Sequence, residues 1–214
     1  MKLRRIKIMK KSILAAGSAL LLLLSACSEA PKTAEKKAPE PPLEPATGQS
    51  ALYKMYQVAR SWSTDLEVLK MNSIHLPGVK AQPGTAAAWE ATFVSASKAK
   101  ARSYTYSIVE GEGNLHKGVF AGLEQGWSGP RGVTKPFNIQ AVKKDTDAAY
   151  KTALENKGAE YDKKNPGKQI NIMLEKNDKY PDPSWRVIWG DSVGTSNFSV
   201  YVDCSTGDFQ GITR

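Results

Sequence analysis

Apolar and polar positions change period along this chain, and the changes divide it into elements. Leu52, Met55, Tyr56, Ala59, Trp62, Leu66 and Leu69 recur at three- and four-residue spacing. That spacing puts one apolar face on a helix over about 51–70, with order beginning near Ser50 as N-cap. The period then becomes two. Trp89, Ala91 and Phe93 alternate with Glu90 and Thr92, and Tyr104, Tyr106 and Ile108 alternate with Ser103, Thr105 and Ser107. Both runs predict half-buried antiparallel strands joined as a hairpin about the polar turn 97–100. A turn at Gly111, Glu112 and Gly113 and a short third strand over about 118–123 follow.

Residues 126–136 are rich in Gly and Pro, have no periodicity, and are expected to join two halves. Asp145 or Thr146 can cap a second helix running to about Lys157, with Tyr150, Ala153 and Leu154 on one face. Gly158 stands where a helix-terminating glycine is expected. Ile170, Ile172 and Leu174 then alternate with Asn171, Met173 and Glu175. Trp185, Val187 and Trp189 form the next strand, with Arg186 and Ile188 on its other face. Phe198, Val200 and Val202 form the last. The pattern predicts an α+β fold, a helix packed on antiparallel sheet, arranged as two similar helix-strand-strand-strand halves over 51–130 and 131–214.

The amino-terminal stretch changes the picture of where this domain works. Lys2, Arg4, Arg5, Lys7, Lys10 and Lys11 precede an apolar run that ends in Leu20 to Leu24, then Ser25, Ala26 and Cys27. A basic segment, a short apolar core and small residues describe an export signal over 1–26. The run is too short to span a bilayer, which takes about 20 residues. Leu24-Ser25-Ala26-Cys27 resembles the lipobox of bacterial lipoproteins. The resemblance implies a diacylglycerol, and usually a further acyl chain such as palmitate, on Cys27, with membrane anchoring as the result. Ser28 at the next position favours the outer membrane, facing the periplasm, over the inner membrane. The segment 27–50 holds Pro31, Pro39, Pro41, Pro42 and Pro45 without an aromatic residue and reads as an extended linker.

Removal of the signal takes the formal charge from +9 to about +3, because six basic residues leave with it. What remains lacks the dense basic face of a nucleic-acid binder, and no nucleic-acid partner is expected. With Cys27 lipidated, Cys204 has no partner for an intramolecular disulfide.

Val200-Tyr201-Val202-Asp203-Cys204-Ser205-Thr206-Gly207 ends the final strand. Together with the helix before it, this ending resembles PepSY-type modules over 142–212, small export-associated domains with one helix on an antiparallel sheet. The resemblance implies a protein-binding or protease-modulating role. On its own terms the motif is a turn, with Asp203 holding the loop and Gly207 supplying a positive φ.

No reaction is written in the residues. His75 and His116 are separated, no metal-ligand spacing or nucleophile elbow occurs, and neither a cofactor nor a metal is expected. The first expectation is therefore a non-enzymatic binder of an envelope protein or peptide, through an open sheet edge. The alternative is a small molecule or envelope polymer in an aromatic cleft between the halves, walled by Trp127, Trp185, Trp189 and Tyr201. A hydrolase ranks third.

Overall fold

The computed structural model describes residues 44–213. The expected signal over 1–26, the expected lipidation residue Cys27 and the linker up to residue 43 lie outside the described residues, and the end of the linker expected over 27–50 is folded instead, as the following strand and the helix start. A two-residue strand β1 (Ala46–Thr47) leads into helix α1 (Gly48–Ala59). Five strands follow: β2 (Leu66–Ile74), β3 (Thr85–Ala86), β4 (Ala88–Ser95), β5 (Lys100–Ser107) and β6 (Gly118–Gly126). Helices α2 (Thr146–Ala153) and α3 (Ala159–Lys164) come next, then β7 (Ile170–Glu175), β8 (Ser184–Trp189), β9 (Ser199–Asp203) and β10 (Phe209–Thr213).

Eight of these strands make one antiparallel sheet in the order β10-β9-β8-β7-β2-β4-β5-β6. The first half contributes one helix and four strands of this sheet, and the second two short helices and four strands. The first large strand of each half, β2 and β7, meet at the centre, and the last, β6 and β10, form the two edges. The register between β2 and β7 is short, from Lys70↔Glu175 to Asn72↔Met173. The α+β architecture expected from periodicity is present, with four sheet strands in each half rather than three.

One face of the sheet carries the core. Trp89 and Phe93 on β4, Tyr104 on β5, Leu174 on β7, and Trp185 and Trp189 on β8 are all buried in a single apolar cluster. Leu52 and Met55 of α1 and Ala149 and Ala153 of α2 pack onto them. The opposite face is also filled in places. Arg186 points away from the helices, as alternation requires, but it is buried rather than solvated. Its Nε donates to Ser199 Oγ at 3.0 Å, its guanidinium lies over the Tyr201 ring at 5.0 Å, and Glu175 stands 3.8 Å away.

The first helix ends at Ala59, well before residue 70, and starts at Gly48, ahead of Ser50. Leu66 and Leu69 belong to β2. A register shift between Val68 and Lys70 explains the misleading spacing. The inserted residue puts Leu66, Val68 and Met71 on the buried side at intervals of two and three, which imitates a helical repeat. Gly158 is not the terminating residue of the second helix either. Lys157 takes the positive φ of 76°, while Gly158 has helical angles (φ −60°). Its role is close approach: a Cβ there would stand 2.5 Å from the Ala153 carbonyl oxygen and 2.6 Å from Trp189 Cη2.

The two helix starts share one cap. Thr47, the N-cap of α1, makes no side-chain cap of its own. Instead Asp145 Oδ1 accepts from Gln49 N (2.9 Å) and from Thr146 N (2.7 Å), and Thr47 Oγ1 donates to Asp145 Oδ2 at 2.6 Å. Thr146 Oγ1 accepts from Gly48 N at 2.8 Å. A single carboxylate from the second half thus satisfies orphan amides at both helix N-termini, where the dipoles favour negative charge.

Candidate functional site

Two features stand open once the core is accounted for, the β6 edge and a cavity at the central seam. β6 pairs with β5 and forms the end of the sheet. Its alternate side chains Val119 and Ala121 pack against the core. Phe120, on the other face, packs at a tilt against His116, ring centroids 4.4 Å apart. A bulge follows, because the register jumps from Tyr104↔Ala121 to Arg102↔Glu124. Arg102 Nε donates to the Gly122 carbonyl at 2.8 Å, and Trp62 Nε1 donates to Glu124 Oε1 at 2.7 Å. These contacts fix the strand in place, and among the described residues no further strand pairs with its outer side. Leu123, at the bulge, is 88% exposed. β6 spans 9 residues with neither Lys nor Pro, and its edge-blunting features are confined to Glu124 and the bulge near its end.

The opposite edge is less accommodating. β10 spans only 5 residues and, like β6, carries a bulge, here at Gln210. The Gln210 amide is tied to Asp203 (3.2 Å) and to the Ser184 hydroxyl. Tyr180 lies so close to Gly211 that a Cβ there would be 2.5 Å from its hydroxyl.

The seam cavity opens where β2 and β7 stop pairing. Beyond Asn72↔Met173 the Ile172 amide turns to the Ser73 hydroxyl at 2.9 Å, and the strands separate. The space between them measures 310 Å³. Ser73 and His75 line one wall, Gln169 and Asn171 the other, with Tyr150 of α2 and the segment 76–87 completing it.

The four aromatic residues expected to wall a cleft do not come together. Trp185 and Trp189 are fully buried, facing α2 from β8. Tyr201 lies on the opposite face, packed against Tyr180 and Arg186 and 6% exposed. Trp127 follows the end of β6, half-buried beside a 180 Å³ hollow with Leu69 and Arg131. Alternation is the reason: residues 185 and 189 share a face by parity, and the strand pairing Arg186↔Tyr201 places Tyr201 on the other. The seam cavity is not legible in local sequence, because its walls come from loop ends and from an interruption between non-consecutive strands.

The titratable groups are dispersed. His116 Nδ1 lies 2.6 Å from Glu110 Oε1 near the β6 start, and the Lys117 amide together with His116 holds that carboxyl below its usual range. His75 is at the seam. Among the described residues no group of three His, Cys, Asp or Glu side chains converges. The Asp203 turn forms as its sequence suggests. Its Oδ1 accepts from Ser205 N (2.7 Å) and Thr206 N (3.0 Å), and Gly207 has φ of 86°.

Cys204 is a fully buried thiol with Sγ 3.5 Å from the Ala141 carbonyl. Burial, reinforced by the Asp203 charge, pushes it up to about 12. Only the thiolate is nucleophilic, so this side chain is inert in the folded state. Alkylation at pH 8 is expected to be negligible in native protein and complete in denaturant without reductant, read by intact mass. Rapid native labelling would show that the carboxy-terminal strands open readily.

No family model, curated protein or solved structure matches the chain.

Proposed function

We propose that this chain is a membrane-anchored envelope lipoprotein, held through lipid on Cys27, whose folded domain binds an extended segment of another protein by strand addition. The observation that carries the reading is the outer side of β6, which no strand pairs among the described residues, nine residues long and without an edge-blunting Lys or Pro. An incoming strand would pair with the unused main-chain groups of β6, and its side chains would meet Leu123 and Phe120. Main-chain pairing supplies affinity with little demand on sequence, which suits capture of exposed or partly unfolded segments. Proteases and their substrates in the envelope are the partners to test first, in keeping with the PepSY-type resemblance of the second half. A lipid tether confines the domain to the membrane surface and raises its effective concentration there, so each contact can be weak.

Photo-crosslinking in intact cells tests this. A photoreactive residue at Gln125 in the full chain is expected to give a discrete adduct, and one at Val58, on the outer side of α1, none. Adding Leu123→Lys places a charge on the edge and is expected to abolish the Gln125 adduct. Because Leu123 is exposed, Tm should move by less than about 2 °C. Equal adducts from both positions, or an adduct that survives Leu123→Lys, would contradict strand addition at β6.

A further inference from the structure

We infer that the seam cavity between β2 and β7 is a second binding site, built for a small uncharged ligand that carries both hydroxyl and amide groups, an N-acetylated sugar ring. It lies three strands from β6 in the sheet, so it is a different site from the proposed edge and stands or falls independently.

Size comes first. At 310 Å³ the cavity sits at the low end of small-molecule sites, which run about 300–1,000 Å³, and has room for one ring rather than a chain. Charge comes second. No Asp, Glu, Lys or Arg lines it, and His75, exposed at its wall, is the one side chain there that can become a cation. A cationic ligand would shed water there without finding a counter-charge, and an anionic one would find only the exposed His75 imidazole, which is costly. That argues against free amino acids and short zwitterionic peptides and favours a neutral molecule.

The polar groups point the same way. The side-chain amides of Gln82, at the exposed rim, and of half-buried Gln169, with the half-buried Tyr150 hydroxyl, line the cavity and make no hydrogen bond to another described residue. Asn171 spends its amide N–H on the Gly190 carbonyl (2.6 Å), which leaves its side-chain oxygen as acceptor. The Ser73 oxygen accepts from Ile172, which leaves its hydroxyl hydrogen to donate. Unused side-chain amides and hydroxyls suit a ligand that itself alternates donors and acceptors around a ring. The remaining wall, with Ile74, Leu76 and Val79, is apolar and would take a methyl group and the C–H face of the ring. Acetamido sugars combine all of these features in one neutral molecule.

The site forms only because the halves stop pairing at Asn72↔Met173. Had the ladder continued, β2 and β7 would close the space with their own main chains. The interruption supplies both the volume and the walls, one from each half.

The test uses N-acetylglucosamine and its soluble β-linked trimer as probes with the purified full chain, read by saturation-transfer NMR and titration calorimetry. Glucosamine and alanyl-alanine are the charged comparisons. Saturable binding of the acetylated sugar is expected, with the strongest transfer to its acetyl methyl group. Ala81→Trp, which fills the mouth from an exposed position, and Gln169→Leu, which removes a polar partner without adding bulk, should each weaken binding about tenfold or more. Should Ala81→Trp fail to fold, Gln169→Leu alone decides. Tighter binding of the trimer would assign the site to a glycan polymer, and equal binding to a free sugar. The inference is overturned by absence of saturable binding up to about 10 mM. Equal binding of glucosamine or the dipeptide overturns it too, as does affinity unchanged in Gln169→Leu.

Discussion

Trp185→Ala is expected to lower the unfolding free energy by about 3–5 kcal/mol. The ring is fully buried where the start of α1, the start of α2 and β8 meet. Its Nε1 donates to the Lys144 carbonyl at 2.7 Å, so truncation leaves a cavity and an orphaned acceptor together. Set against the roughly 5–15 kcal/mol of a typical domain, this is a large share. Tm should fall by about 6–20 °C. Phe209→Ala is the comparison, because that ring is 42% exposed on the β10 edge and its loss should cost within about 0.5 kcal/mol. Urea unfolding of both variants measures the contrast. Similar small losses would place Trp185 outside the core.

Asp145→Ala should cost about 2–3 kcal/mol, more than a single helix cap usually does. Its carboxylate accepts amides at the start of two helices, one in each half, and takes the Thr47 hydroxyl as well. Asp145→Asn keeps one acceptor oxygen and should recover part of the loss. Asp147→Ala is the control, since that exposed carboxylate accepts only from the next residue, Ala148. Thermal unfolding is expected to remain a single transition in every variant, because both halves share one core. If Asp145→Ala costs no more than Asp147→Ala, the cross-half cap contributes nothing.

Much of the fold is written locally. Period-two runs mark β4, β5, β7, β8 and β9 directly, because each has one face on the core. β2 was hidden by its own bulge, which turned a strand repeat into something like a helical one. β10 is short, bulged and half-exposed, and so carries little hydrophobic pattern. The candidate sites were harder to foresee. That β6 is an edge depends on β2 pairing with β7, about 100 residues away along the chain, and nothing in local periodicity encodes that choice. The seam cavity depends on where the same pairing stops. Aromatic residues were a poor guide, since Trp185 and Trp189 are large enough to anchor the core and were taken into it.

Hydrogen–deuterium exchange across Gly118–Gly126 tests strand addition most directly. The full chain is compared alone and saturated with the protein crosslinked at Gln125. Strand addition predicts that amides of β6 exchange markedly more slowly in the complex, while those of Phe209–Thr213 at the other edge keep their rates. Slowed exchange confined to α1 or α2, with β6 unchanged, would contradict it.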